Sequence, residues 1–214
     1  MIFYAVFTAK PSPMRLLVDT DAFCKLAIGE LLCDGAKLFG ADLSECGRLP
    51  ALAHMLRRGK LVRTYGPANC TSLISLADRI PAIEVSDSPW LDRLALAQAI
   101  DPGEAQLLAL AAESGLLLLS GDKRALRALN DVPGICDALA GRVIVLEAVL
   151  LALCDELGAE VVRTHAKMLD AYDIATRICF SDGVADPREG LLSYYRSFAT
   201  EVPPTLLWNP QPRW

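Results

Sequence analysis

Histidine is scarce in this chain: His54 and His165 are the only two, and they share no ligand-like spacing. That argues against a zinc centre. Cysteine is present but unpaired in pattern. The seven cysteines (24, 33, 46, 70, 136, 154 and 179) are scattered and odd in number, and none forms a C-x-x-C pair. Most lie in apolar context, where a free thiol behaves as a small hydrophobe. No disulfide framework is implied, and a reducing cytoplasm is the expected compartment. No G-x-S-x-G motif marks a serine nucleophile. No apolar run reaches the roughly 18 residues of a membrane span; the longest, from Val143 to Cys154, contains Glu147. Positive charge is in deficit, with 21 Lys and Arg against 26 Asp and Glu and a net charge of −5. A strongly basic nucleic-acid coat is thereby disfavoured. A local basic patch beside a cation-filled acidic pocket is not.

What the chain has is apolar mass. Of its 214 residues 53% are hydrophobic, enough for one α/β domain with a sizeable core and a small extension. The opening "MIFYAVFTAKPSPM" has neither a basic start nor a small-residue cleavage site, so it reads poorly as a signal peptide. It reads as an added edge strand, or as an extension ahead of a start at Met14.

Leu16 to Val18 reads as a buried strand. A helical pattern comes next, from Ala22 to about Leu38, broken near Asp34-Gly35, with a short strand at Lys37 to Gly40. Ser44 to Arg58 reads as a helix with Pro50 near its start or kinking it. Asn69 to Ile80 reads as helix, "AIEV" (82–85) as a short strand, and Pro89 as the first turn of another helix. "DPGEAQLLALAAESGLLLLSGDKRALRALND" reads as helix, stop at Gly115, strand Leu116 to Leu119, turn and helix. Arg142 to Leu146 is the last strand, leading into a helix to about Leu157. Strands alternating with helices imply βαβ units and a parallel sheet. Beyond Gly158 the pattern is helical, ending in the irregular "PPTLLWNPQPRW", whose tryptophans suit docking on the domain or contact with a partner.

Four acids stand where such a fold exposes them. An open parallel sheet places its functional crevice beyond the carboxyl ends of its strands. Asp19 comes directly after the first strand, and Asp122 after "LLLLSG". Glu104 opens the helix that feeds the latter strand. Each also has a local duty available. Asp101-Pro102-Gly103-Glu104 has the pattern of a capping box with proline at the first helical position; Asp122 and Asp21 suit caps of the helices just after them. Glu45 lies early in a helix, where the macrodipole favours an acid. Capping needs one acid per helix anywhere in the fold. A metal site needs several converging on one edge, where crowded carboxylates repel unless a cation neutralises them. Mg²⁺ or Mn²⁺ suits oxygen-only ligands. One or two such ions can orient water for phosphodiester hydrolysis without a protein nucleophile.

"LLVDTDAFCKLA" resembles the opening strand and helix of PIN-domain nucleases, and "GEAQLLALAAESGLLLLSGDKRAL" resembles their later helix–strand–helix. The similarity spans roughly residues 15 to 150. It implies a PIN-like α/β fold: a central parallel sheet of four to five strands flanked by helices over residues 15–157, an extension or edge strand at 1–14, and a helical C-terminal extension and tail at 158–214. It implies that Asp19, Glu104 and Asp122 are metal-binding catalytic acids for Mg²⁺ or Mn²⁺. Glu45 is the fourth by chain order, with Asp78 its competitor. The implied activity is metal-dependent endonucleolytic cleavage of RNA, in many relatives as the toxin of a toxin–antitoxin pair. Residues 158–214 carry no family motif; covering the site, forming a homodimer or binding an antitoxin are their expected roles. "RRGKLVR" (57–63) and "DKRALR" (122–127) are the local basic clusters, and from them Arg57, Arg58, Lys60, Lys123 and Arg124 suit phosphate contacts or plain solvated helix faces. No membrane partner is implied.

Two other readings share these residues. One is a PIN-like scaffold that binds RNA or protein without catalysis. The other is a haloacid dehalogenase-type phosphatase, which the D-T-D also resembles. That resemblance would make Asp19 the nucleophile and Asp21 the general acid, with Ser120 and Lys123 assisting and Glu147 the one acid offered after the last strand.

Overall fold

The computed structural model describes residues 13–84 and 87–210. The first twelve residues, Val85 at the end of "AIEV", and Trp214 lie outside the described residues, and so do the readings made of them. Among the described residues the strands are β1 (Leu16–Val18), β2 (Cys46–Gly47), β3 (Leu117–Leu119) and β4 (Val143–Ile144). They form one four-stranded sheet in the order β2-β1-β3-β4. All pairings are parallel, with Leu16 beside both Cys46 and Leu117 and with Leu118 beside Val143. This is the α/β architecture expected from the alternation of strand and helix. Leu16, Leu17 and Val18 are all buried, as both faces of a covered parallel sheet require.

Between β1 and β2 run α1 (Thr20–Ile28) and α2 (Leu32–Leu38). The break falls at Gly29-Glu30, not at Asp34-Gly35. Glu30 holds a positive φ of 54°, and Gly35 sits inside α2, where a Cβ would lie 3.3 Å from Val149. Its glycine therefore serves close packing rather than a turn. No strand forms at Lys37 to Gly40, because α2 runs through Leu38. The helix expected over Ser44 to Arg58 is also replaced, by a 3₁₀ turn (Leu43–Glu45), β2, and then α3 (Leu52–Arg57). Pro50 lacks an amide donor and disfavours helix at the residue before it.

Next come helices α4 (Lys60–Tyr65) and α5 (Pro67–Ala77), then α6 (Pro89–Leu94) and α7 (Pro102–Ser114) ahead of β3. Among the described residues of "AIEV", the expected strand is an isolated parallel bridge, Arg48 with Ala82. Gly115 ends α7 in the left-handed conformation, φ 65°, as its place in the sequence suggests. After β3 come α8 (Lys123–Ala128) and α9 (Ile135–Ala138); after β4 come α10 (Leu146–Leu157), α11 (Ala159–Ala166), α12 (Ile174–Cys179) and α13 (Pro187–Ala199).

Residues beyond Gly158 share the core of the sheet domain: Val162, Phe180, Leu191 and Phe198 belong to the same buried cluster as β1. Trp208 docks on the domain. Its amide donates to Val143 O at 2.7 Å, and its ring meets Phe39 edge-on at 5.2 Å. All seven cysteines are free. Among the described residues no helix is long and apolar enough to cross a membrane.

Candidate active site

Parallel strands β1 and β3 are neighbours, so the chain leaves both of them at the same edge. The amide of Asp19 donates to Leu119 O at 3.0 Å, and that of Ser120 to Ile144 O at 2.9 Å. These bonds pin the chain where it leaves the core. Asp19 then caps α1, accepting from the Asp21 amide at 2.8 Å. The cap is therefore Asp19 and not Asp21; α1 starts two residues earlier than its apolar pattern suggests. Asp21 lies in the first turn and pairs with Lys25 at 2.8 Å. Asp122 caps α8 through the amides of Arg124 and Ala125 at 2.9 and 3.0 Å. At α7 the expected capping box is complete. Asp101 accepts from the Gly103 and Glu104 amides, and Glu104 accepts from the Asp101 amide at 2.8 Å.

Capping and convergence thus coexist. Asp19, Asp21, Asp101, Glu104 and Asp122 line one cleft of about 770 Å³. Their electrostatics register the crowding. Burial, followed by the Asp21 and Asp122 charges, pushes the Asp19 carboxyl up to about 6, against the pull of the Asp21 amide and the Ser120 hydroxyl. Burial also pushes Glu104 up to about 7; the Asp101 amide opposes this, while a hydrogen bond with Asp122 and its charge add to it. Asp122 moves the other way: burial raises it, but the Glu104 hydrogen bond, backbone donors and Arg124 outweigh burial. Of the two, burial beside a second carboxylate favours the protonated form of Glu104, while backbone donors and Arg124 favour the charged form of Asp122. Arg124 Nη2 stands 3.8 Å from both.

In this conformation, no group of three or more His, Cys, Asp or Glu side chains among the described residues is gathered closely enough to hold a metal ion. Glu104 and Asp122 each spend one carboxylate oxygen on backbone amides and keep the other. The donors are nevertheless all oxygens. They suit a cation such as Mg²⁺, which keeps several waters and takes few carboxylates directly.

Glu45 does not join them. It lies before β2, at the opposite edge from Asp19, where Arg15 N donates to its carbonyl. Its carboxylate closes a capping box with the Asp42 amide at 3.0 Å and pairs with Arg15 at 3.4 Å. Chain order misplaces it because the expected strand at Lys37 to Gly40 is helix, which leaves Glu45 ahead of the second strand rather than behind it. Asp78 is no substitute: it is exposed at the C-terminus of α5. We therefore expect Glu45→Gln to leave any metal-dependent activity within about twofold of wild type; a loss as large as that of an Asp19 variant would reverse this placement.

Of the basic residues, Lys60, Lys123 and Arg124 line the cleft. Arg57 and Arg58 are exposed at the end of α3, outside its lining. Lys123 is held by Glu201 at 2.9 Å and lies over the Phe198 ring. The C-terminal segment also supplies Asp173, 3.0 Å from Lys25, and Tyr172, whose ring packs on Tyr65. Tyr65 in turn donates to Asp21 at 3.2 Å. Residues 158–210 thus build one wall of the cleft. Sequence patterning misses Asp173 and Tyr65, since nothing local to them signals proximity to Asp19; Glu147, the acid that follows the last strand, also lines the cleft.

No protein-family model matches the chain, and no curated protein matches it. A solved structure described as the crystal structure of PAE2754 from Pyrobaculum aerophilum is similar at 18% identity and a TM-score of 0.45, over 68% of this chain and 99% of that one.

Proposed function

We propose that the protein is a metal-dependent ribonuclease of PIN type. The observation that carries this reading is that Asp19, Glu104 and Asp122, far apart in the chain, line one cleft at the edge where β1 and β3 end. Carboxylates so placed are costly without a counter-charge, and oxygen-only ligands select a hard divalent cation. Asp19 and Asp122, with Glu104, would hold Mg²⁺ or Mn²⁺. Such an ion supplies an activated water and a counter-charge for the leaving oxygen. The protein's own share is positional. The strand ends fix Asp19 and Ser120, the α7 and α8 caps hold Glu104 and Asp122, and Arg124 and Lys60 offer positive charge along the cleft for phosphates.

RNA is the substrate proposed from the family resemblance, with the toxin role of a toxin–antitoxin pair as its cellular setting. An antitoxin or a second copy of the chain would then meet the surface built by residues 158–210. The phosphatase alternative needs Lys123 free beside Asp19, and its ammonium is instead engaged by Glu201. The test is incubation of the purified protein with single-stranded and structured RNA, with Mn²⁺, with Mg²⁺ and with chelator. Cleavage only with the metals is the expected result. Absence of cleavage under all conditions favours the scaffold reading, and turnover of a small phosphate ester favours the phosphatase.

A further inference from the structure

Beside the acids opens a second, smaller cavity of about 280 Å³, and its character is different. Leu107 of α7, Leu118 of β3 and Leu126 of α8 form its inner walls, while Leu49 and Met55 from the segment after β2 roof it. Asp19 and Glu104 belong to the lining of both spaces, so the apolar cavity opens directly onto the acidic cleft. The hydroxyl-bearing Thr20 lines both spaces, and Ser120 lines the apolar one. Catalysis by carboxylates and a cation needs no apolar cavity. A molecule held at the acids by a phosphate, and bearing a flat apolar arm, does.

We infer that this cavity is a nucleobase pocket: the base of a nucleotide adjoining the phosphate that a divalent cation would hold at Asp19 and Glu104 leaves its stack and inserts between Leu107, Leu118, Leu126 and the Leu49–Met55 roof. This rests on the ribonuclease reading above. The neighbours identify the occupant. Lys60 and Arg124 along the cleft suit a polyanionic strand, a stacked duplex base cannot reach a lateral cavity, and apolar side chains commonly sandwich an extruded base. The substrate class is accordingly single-stranded RNA, or a loop or bulge of a structured one.

The test reads binding apart from cleavage. Fluorescence anisotropy with Ca²⁺ measures the affinity of a labelled single strand and of the same strand with one abasic nucleotide placed at successive positions. One position is expected to weaken binding by about tenfold or more, the effect of losing one buried base. Ala51 is exposed at the pocket mouth, and Ala51→Trp is expected to plug it, removing that discrimination while the abasic strand binds as before. Equal affinity at every abasic position overturns the inference. So does discrimination that survives in Ala51→Trp, or an absence of RNA binding. A parallel Mn²⁺ cleavage assay separates the two readings: cleavage without base discrimination leaves the nuclease and removes the pocket, whereas discrimination without cleavage does the reverse.

Discussion

Asp19→Asn is expected to reduce the proposed metal-dependent RNA cleavage by at least about a thousandfold, the scale of several kcal/mol of lost charge stabilisation. The metal-free fold is expected to become more stable, not less. The wild-type carboxylate lies in surroundings that push its pKa up to about 6, so the folded chain at neutral pH carries a charge that its surroundings disfavour. Neutralising it recovers roughly 3 kcal/mol, since each tenfold change in proton affinity corresponds to about 1.36 kcal/mol. Asparagine keeps the cap, since its side-chain oxygen accepts from the Asp21 amide as aspartate does. Kinetics on defined RNA and thermal unfolding in chelator read the two effects independently. A variant that cleaves at the wild-type rate removes Asp19 from the chemistry; one that cleaves poorly because it unfolds removes the electrostatic account.

The second large effect is a pH dependence that a metal ion should cancel. Asp19 and Glu104 both have folded pKa values above their ordinary ones, about 6 and about 7. Across that window the folded chain binds more protons than the unfolded chain, so stability falls as pH rises. This contribution is fully present below the ordinary carboxylate range and is lost as pH passes through the folded values. At the acid end the ion-paired Asp173, whose carboxyl lies below its ordinary value, works the other way. Without metal, stability should therefore peak near about pH 5 and decline by roughly 2 to 3 kcal/mol toward about pH 8. A divalent ion that takes the deprotonated carboxylates should reverse the decline. At about a hundredfold excess over Kd it contributes about 2.7 kcal/mol, some 5 to 10 °C in Tm for a chain of this length. Thermal unfolding across pH, with and without Mn²⁺, makes the comparison. A metal effect as large at about pH 5 as at about pH 8 would place the ion elsewhere.

Several parts of this site are legible in the sequence. The apolar run Leu16 to Val18, the Asp101-to-Glu104 capping box and the glycine stop at Gly115 depend on neighbours within a few positions, and all three form as expected. Asp19 and Asp122 reach the expected edge because each trails a strand closely, and parallel strands share an edge. Glu45 does not, because its assignment depends on counting strands, and one expected strand is helix. Gly35 misleads because a glycine that lets α2 approach Val149 looks, in sequence, like one that ends a helix.

The sequence alone determined the caps, the strand ends and the stock of acids, since these arise from short-range hydrogen bonding and the burial of contiguous apolar residues. Only the tertiary structure decided which acids meet. The order β2-β1-β3-β4 sets Asp19 beside Asp122, sends Glu45 to the far edge, and lets the segment after β2 roof an apolar cavity over the same carboxylates. Those outcomes depend on contacts between residues far apart in the chain, and no local periodicity encodes the distance between two side chains that folding alone brings together.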